Sequence, residues 1–188
     1  MQKTNRSLAE RSPEESWIQR AELERRTTYE AGRKRMQLAA ELGSEDAATL
    51  DALIAVGIDR DNLPAVEWIP MVLVAWADGL VQSGERAAIL RATEGDGIPP
   101  DHPAHALLLG WLDTPPTSKL LGAWQAYLTS VSRRENAGSL RAREAWVRAR
   151  AREVAEAEGG WLGFARVSSQ EGGIMLELAR AFRTAQRA

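Results

Sequence analysis

The 188-residue sequence has a formal net charge of −2 and contains no cysteine. Its length fits one large domain, or one domain with an extension, that buries about 70% of its unfolded surface. The composition excludes disulfides, cysteine-based zinc sites and thiol catalysis within this sequence, and the small charge gives no overall attraction to nucleic acid or acidic lipid.

We expect neither a secretory signal nor a membrane-spanning segment in this sequence. Met1 to Arg6 include no apolar stretch, and the longest wholly apolar run extends only from Met71 to Ala77. A spanning helix needs roughly 20 apolar residues. We therefore expect a cytoplasmic protein with no membrane span.

A long, charged helix should come first along the chain. Ser12 is a favourable N-cap and Pro13 a favourable first helical residue. Gly43 is a favourable residue to end a helix. The sequence thus predicts a helix that runs to Leu42.

This first helix has few apolar residues, which separates it from the rest of the chain. We assign residues 1–43 to an N-terminal tail and helical extension, and residues 44–188 to the helical domain. Trp17 and Tyr29 are among the few apolar side chains of the extension. We expect them to contact a protein partner or a second copy of the chain.

The most apolar segment should form the centre of the fold. A helix beginning near Pro70 is apolar on every side, which is typical of a helix surrounded by others. We expect both Val74 and Trp76 to be buried in it. The next helix should begin at Ser83.

Helical periodicity continues to the C-terminus, without the sustained two-residue alternation of strands. Asp101 should cap one helix, and Ser168 to Glu171 should form the capping box of the last one. Five apolar residues share one side of a helix over about 117–134: Leu120, Trp124, Tyr127, Leu128 and Val131. These elements predict an all-α orthogonal bundle of seven or eight helices with a long N-terminal helix.

The connection after the central helix carries the most specific motif. It reads Ala77-Asp78-Gly79-Leu80-Val81, with Glu85 four residues later. The block resembles the ADG-x-V-x-x-x-E signature of TerB-like domains, small helical proteins associated with tellurite resistance and bacterial stress or defence. A weaker echo covers Gly159 to Glu171, so the resemblance spans about Leu63 to Phe182. It implies a TerB-like fold and a bacterial stress-response role.

The resemblance also implies a divalent metal bound through acids near this turn. Asp78 and Glu85 match two positions of a calcium-binding EF-hand loop, but two further ligand positions fall on Val74 and Trp76, which cannot ligate. We expect Asp78 and Glu85 to stabilise the turn, and a weakly bound divalent metal is the alternative. No other cofactor is expected.

Two departures from the family pattern leave this turn with fewer polar and acidic side chains than the family usually has. Gln82 stands where the family usually has serine, and Gly84 stands where an acid often precedes Glu85. Both changes favour the structural role of the motif over a metal site.

Two histidines offer a second possible metal site. His102 and His105 lie beside Asp101, and such a set can hold zinc. Because His102 precedes Pro103, we expect it outside the helix, so the two rings need not converge. No spacing places a nucleophile beside either histidine, and the residues do not indicate nucleophilic catalysis.

Three arginines share one face of a helix expected over about 139–158: Arg141, Arg148 and Arg152. Such a face could contact phosphates. Glu144 and Glu153 flank it, and no aromatic residues interleave as in single-strand binders. We therefore expect a solvated, ion-paired face and no nucleic-acid partner.

Arg143 and Arg150 lie nearer the apolar side, where their stems should cover apolar surface while their charged ends reach water.

The seven tryptophans are many for this length. Most should pack between helices, but Trp161 follows two glycines in a loop and could anchor an interface.

We therefore expect a non-catalytic interaction or stress-response module of the TerB-like type. The alternatives are a metal-binding sensor or enzyme that uses Asp78 and Glu85, and a nucleic-acid binder that uses the arginine face.

Overall fold

The computed structural model describes residues 13–157 and 169–187. Every regular element in these ranges is helical, which confirms the all-α fold with a long N-terminal helix. Eight α-helices occur in the described ranges, together with a 3₁₀ segment at Leu63–Trp68. The helices are α1 Pro13–Leu42, α2 Ala47–Ala55, α3 Ile69–Ala75, α4 Ser83–Gly95, α5 Pro103–Asp113, α6 Ser118–Ser132, α7 Ala137–Glu156 and α8 Ser169–Ala185.

Helix α3 is the centre of the bundle. All seven of its residues are buried, and it packs against α4, α5, α6, α7 and α8. Pro70 lies in the first turn of α3 and Pro64 in the first turn of the 3₁₀ segment, where a missing N–H breaks no hydrogen bond. The prediction of an apolar helix surrounded by others is confirmed.

Trp76 is only partly buried, so the expectation of a fully buried side chain is wrong at this position. Val74 is buried as expected, with 1% of its surface exposed. Because α3 ends at Ala75, Trp76 lies at the edge of the bundle and keeps part of its ring in solvent. The Trp76 indole N–H donates to the carbonyl of Trp111 at 2.9 Å. A buried indole N–H needs such a partner, and the acceptor is found at this edge.

Helix α6 buries the apolar stripe that the sequence predicts. Leu120, Trp124, Tyr127, Leu128 and Val131 are all buried, and α6 packs against α2, α3 and α8. The Trp124 ring meets the ring of Phe182 in α8 edge to face, with centroids 5.6 Å apart. Ser168, the predicted capping residue before α8, lies outside the described residues.

Helix α5 begins one residue later than the predicted cap implies. Its N-cap is His102, not Asp101, and His102 Nδ1 accepts a hydrogen bond from the Ala104 N–H at 3.0 Å. The imidazole nitrogen satisfies an amide that has no partner within the first turn. His102 therefore lies outside the helix, as its position before Pro103 predicts.

Helix α1 extends from the bundle and is attached mainly through its last turns. Leu38 and Leu42 are buried, and the helix packs chiefly against α2. Arg35 pairs with Asp51 of α2 at 2.5 Å. The helix ends as predicted, before Gly43, whose φ of +61° suits a glycine.

Gly79 should tolerate alanine poorly because of its backbone, not its surroundings. Its φ is +91°, a conformation that costs a non-glycine residue about 1–2 kcal/mol, although no atom lies within 4 Å of an added Cβ. Gly122 of α6 also has open space around an added Cβ, but it is helical, so alanine should stabilise it by about 0.5–1 kcal/mol. Urea unfolding should shift in opposite directions for Gly79→Ala and Gly122→Ala. A shift in the same direction would contradict the conformation assigned to Gly79.

Candidate interaction surface and its alternatives

The two acids of the α3–α4 connection form hydrogen bonds within it. Asp78 Oδ1 accepts from the Leu80 N–H at 3.1 Å, which makes an Asx turn. Glu85 lies in the first turn of α4, and its Oε2 accepts from the Gln82 N–H at 2.9 Å. The Glu85 side chain is buried. These contacts help to close the connection and to start α4.

The geometry of this connection favours a structural role for both acids. Asp78 is exposed, while Glu85 is buried against the start of its helix. Within residues 13–157 and 169–187, no three histidine, aspartate or glutamate residues are grouped so that they could hold a metal ion. A divalent metal at Asp78 and Glu85 stays a prediction, which solution measurements can decide.

Replacing Asp78 separates the two roles. Asp78→Asn keeps an oxygen that can accept from the Leu80 N–H and should change the melting temperature little, whereas Asp78→Ala should cost about 1 kcal/mol. A metal site would make both substitutions damaging, and the wild type would melt higher with added calcium or magnesium. Thermal melts in EDTA and in excess divalent ion measure both effects. An ion-dependent rise in the wild type that Asp78→Asn abolishes would overturn the structural role.

The two histidines have different surroundings. His102 caps α5 through Nδ1, while His105 is buried on the same helix with 7% of its surface exposed. One ring therefore stabilises a helix start and the other packs into the core. This arrangement favours structural roles for the pair over zinc binding.

The arginine face of α7 is exposed and partly ion-paired. Arg141, Arg148 and Arg152 all lie in solvent, and Arg148 pairs with Glu144 at 2.8 Å. These contacts are those of a solvated face, and binding of nucleic acid stays an untested alternative.

Arg143 occupies a partly buried ion-pair network that the sequence analysis missed. Its guanidinium contacts Glu67 of the 3₁₀ segment and donates to Glu135 Oε1 at 2.6 Å. The Tyr127 hydroxyl donates to the same Glu67 Oε1 at 2.5 Å, and the guanidinium lies 5.9 Å from the centre of the Tyr127 ring. Instead of reaching water, the charged end of Arg143 joins α6, α7 and the 3₁₀ segment.

A sequence signal for this network exists but is weak. Arg143 lies between the buried Leu140 and Val147 on α7, and Glu67 lies between the buried Val66 and Trp68. Charged residues within apolar stripes are buried only when they are paired. The periodicity could have indicated that Arg143 and Glu67 each need a partner, but not that they are each other's partner.

The network changes the ionisation of Tyr127. Burial, the charge of Glu67 and the hydrogen bond to Glu67 together raise the pKa of the Tyr127 hydroxyl. Burial alone would lower the pKa of the Arg143 guanidinium, but the Glu135 hydrogen bond and the Glu67 charge raise it. The folded state therefore favours a neutral tyrosine beside an arginine that stays charged.

Absorbance titration can test the state of Tyr127. In Tyr29→Phe it is the one tyrosine left, and it should stay protonated well above the ordinary pKa of about 10 while the chain is folded. Because the folded-state pKa is raised, its contribution to stability is complete below about pH 10 and is lost as the pH rises further. Ionisation near pH 10 with an unchanged helical circular-dichroism signal would contradict the buried hydrogen bond.

The network borders a cleft of about 680 Å³ on the surface of the bundle. Trp68 and Trp146, with ring centroids 5.4 Å apart, form part of its wall. Asp96 in this wall pairs with Arg150 at 3.0 Å. Each acid of the cleft is thus paired with an arginine, and Arg143 serves both Glu67 and Glu135.

Helix α1 carries the largest set of exposed apolar side chains among the described residues. Five of its large hydrophobic residues are more than half exposed: Trp17, Ile18, Leu23, Tyr29 and Met36. Trp17 and Tyr29, which the sequence analysis singled out, are 67% and 74% exposed. Trp161, the third residue singled out, lies outside the described residues. The partly buried Trp111 and Trp146 pack against the core as expected.

Comparisons with known protein families, with curated proteins and with solved structures found no match to this chain. No helix within the described ranges combines the length and apolar character needed to cross a bilayer.

Proposed function

We propose that this protein is a non-catalytic interaction module whose binding element is α1. One observation carries the proposal: the helix exposes five large apolar side chains while it is attached to the bundle through its last turns. Single exposed apolar residues are common on protein surfaces, but several on one protruding element are typical of an interaction site. Tryptophan and tyrosine are also enriched among the residues that dominate binding energy.

The resemblance of the turn to the TerB-like signature supports a setting in bacterial stress response. Ala77, Asp78, Gly79, Val81 and Glu85 carry this resemblance. In our proposal the bundle is the scaffold and the turn stabilises it, while α1 makes the contact with another protein.

Site-specific photocrosslinking in the native cells tests the proposal. A photoreactive residue at Tyr29 or Trp17 should give protein adducts, and the same residue at the exposed Ala106 of α5 should give none. Placing it at Trp161 tests the third interaction residue in the same way. Mass spectrometry of each adduct identifies the protein bound. Absence of adducts at Trp17 and Tyr29, with the chain folded and expressed, would overturn the role of α1.

A further inference from the structure

The charges of α1 are segregated along its length. Residues 13–24 contain four glutamates and one arginine, a net charge of −3. Residues 25–36 contain four arginines, one lysine and one glutamate, a net charge of +4. Within residues 13–36 the first half is therefore acidic and the second half basic.

The helix dipole accounts for Glu14 and Glu15 in the first turn of α1, but not for the charges farther along the helix. Charges act on the dipole within about the first and last turns of a helix. Glu22, Arg25 and Arg26 lie in the interior of α1, and no basic residue lies in its last turn, which contains Glu41. The exposed ion pairs Arg25–Glu22 and Arg26–Glu30 join near neighbours and leave the two halves with opposite net charge.

Three of the exposed apolar residues form one stripe. Met36 follows Ile18 by about five helical turns and Tyr29 follows it by about three, so the three side chains share a face. They are 55–74% exposed. The buried Leu38 and Leu42 lie on roughly the opposite side, so Ile18 and Tyr29 face away from the bundle, while Met36 borders a pocket that Leu50 of α2 also lines. Trp17 and Leu23 lie off the stripe, because each precedes by about five helical turns a residue that pairs with the bundle, Arg35 and Glu41 respectively.

We propose that the partner of α1 is a second copy of this chain, docked with its α1 antiparallel to the first. This inference rests on the proposed function of α1. In that arrangement the acidic half of each helix faces the basic half of the other, whereas a parallel arrangement would bring like charges together. The bundles then lie at opposite ends of the helix pair, because each is attached through the last turns of its own α1.

The residues of the stripe fit this arrangement in register. When Ile18 of one copy meets Met36 of the other, Arg25 meets Tyr29, which allows a cation–π contact. Glu22 and Arg33 lie along the same edge of the stripe. A two-fold axis places this edge of one helix against the same edge of the other, so Glu22 of one copy meets Arg33 of the other. Gly32 lies on the same face, where its small size lets the two backbones approach.

Charge-reversal variants of the full chain test the pairing by sedimentation velocity. A basic variant carries Glu22→Lys and Glu24→Lys, and an acidic variant carries Arg25→Glu, Arg26→Glu and Arg33→Glu. The wild type should dimerise at low ionic strength, and salt near 1 M should weaken the dimer by at least about tenfold because the charges are screened. Each variant alone should be monomeric, and an equimolar mixture of the two should form a heterodimer.

The orientation is tested with single cysteines, because the chain has none of its own. Ile18→Cys mixed with Met36→Cys should form the mixed disulfide faster than either variant links to itself, and Leu23→Cys serves as the control off the stripe. A monomeric wild type at low ionic strength, or a mixture of charge variants that stays monomeric while both are helical, would overturn the pairing. In that case, adducts that join Tyr29 to a different protein would still support the proposed function of α1. The absence of any adduct from α1 would overturn both the proposed function and the pairing.

Discussion

Met71→Ala should lower the free energy of unfolding by about 2–5 kcal/mol. Met71 lies in α3 and is completely buried, among helices that contact α3 from several sides. The substitution removes apolar burial and leaves a cavity that rigid neighbours cannot fill. The effect should be among the largest of any single truncation, because α3 has no free side towards which the surrounding helices could relax.

Met36→Ala is the matched control for this prediction. Met36 is 73% exposed on α1, so the same change should alter the free energy of unfolding by less than about 0.5 kcal/mol in dilute solution. Urea unfolding followed by circular dichroism measures both variants. Similar losses for the two methionines would contradict the central position of α3.

Arg143→Met should destabilise the protein by about 2 kcal/mol or more. The change keeps an apolar stem but leaves Glu135 and Glu67 without their cation. The Arg143, Glu67 and Glu135 side chains are only 21%, 25% and 27% exposed, so water replaces the lost pairing poorly. The loss of stability should be smaller than for a fully buried ion pair, because Tyr127 still donates a hydrogen bond to Glu67 and the two carboxylates are partly exposed to solvent.

Arg141→Met controls for the loss of an arginine from the same helix. Arg141 is exposed, and its Nε donates to the Ala137 carbonyl of its own helix, so its removal should change stability little. Glu67→Gln combined with Arg143→Met should restore part of the lost stability, because one uncompensated charge is then absent. Equal stabilities of Arg143→Met and Arg141→Met would show that the network contributes nothing to folding.

The exposed part of the candidate site was accessible to sequence reasoning. Trp17 and Tyr29 could be singled out because the first helix has too few apolar residues to be buried, and both are exposed. The proposed antiparallel pairing needed the structure in addition, since only the bundle contacts of Leu38 and Leu42 show which side of α1 is turned towards the bundle.

The sequence by itself determined the helices, the central position of α3 and the turn at Gly79. These features depend on neighbours within a few residues: the 3.6-residue period, a proline at a helix start or a glycine with positive φ. Only the tertiary structure decided that Trp76 lies at the edge of the bundle and that Arg143 pairs with Glu67, 76 positions away. The spacing of apolar residues indicates which side of a helix is buried, but the partner of a buried charge depends on how separate helices pack.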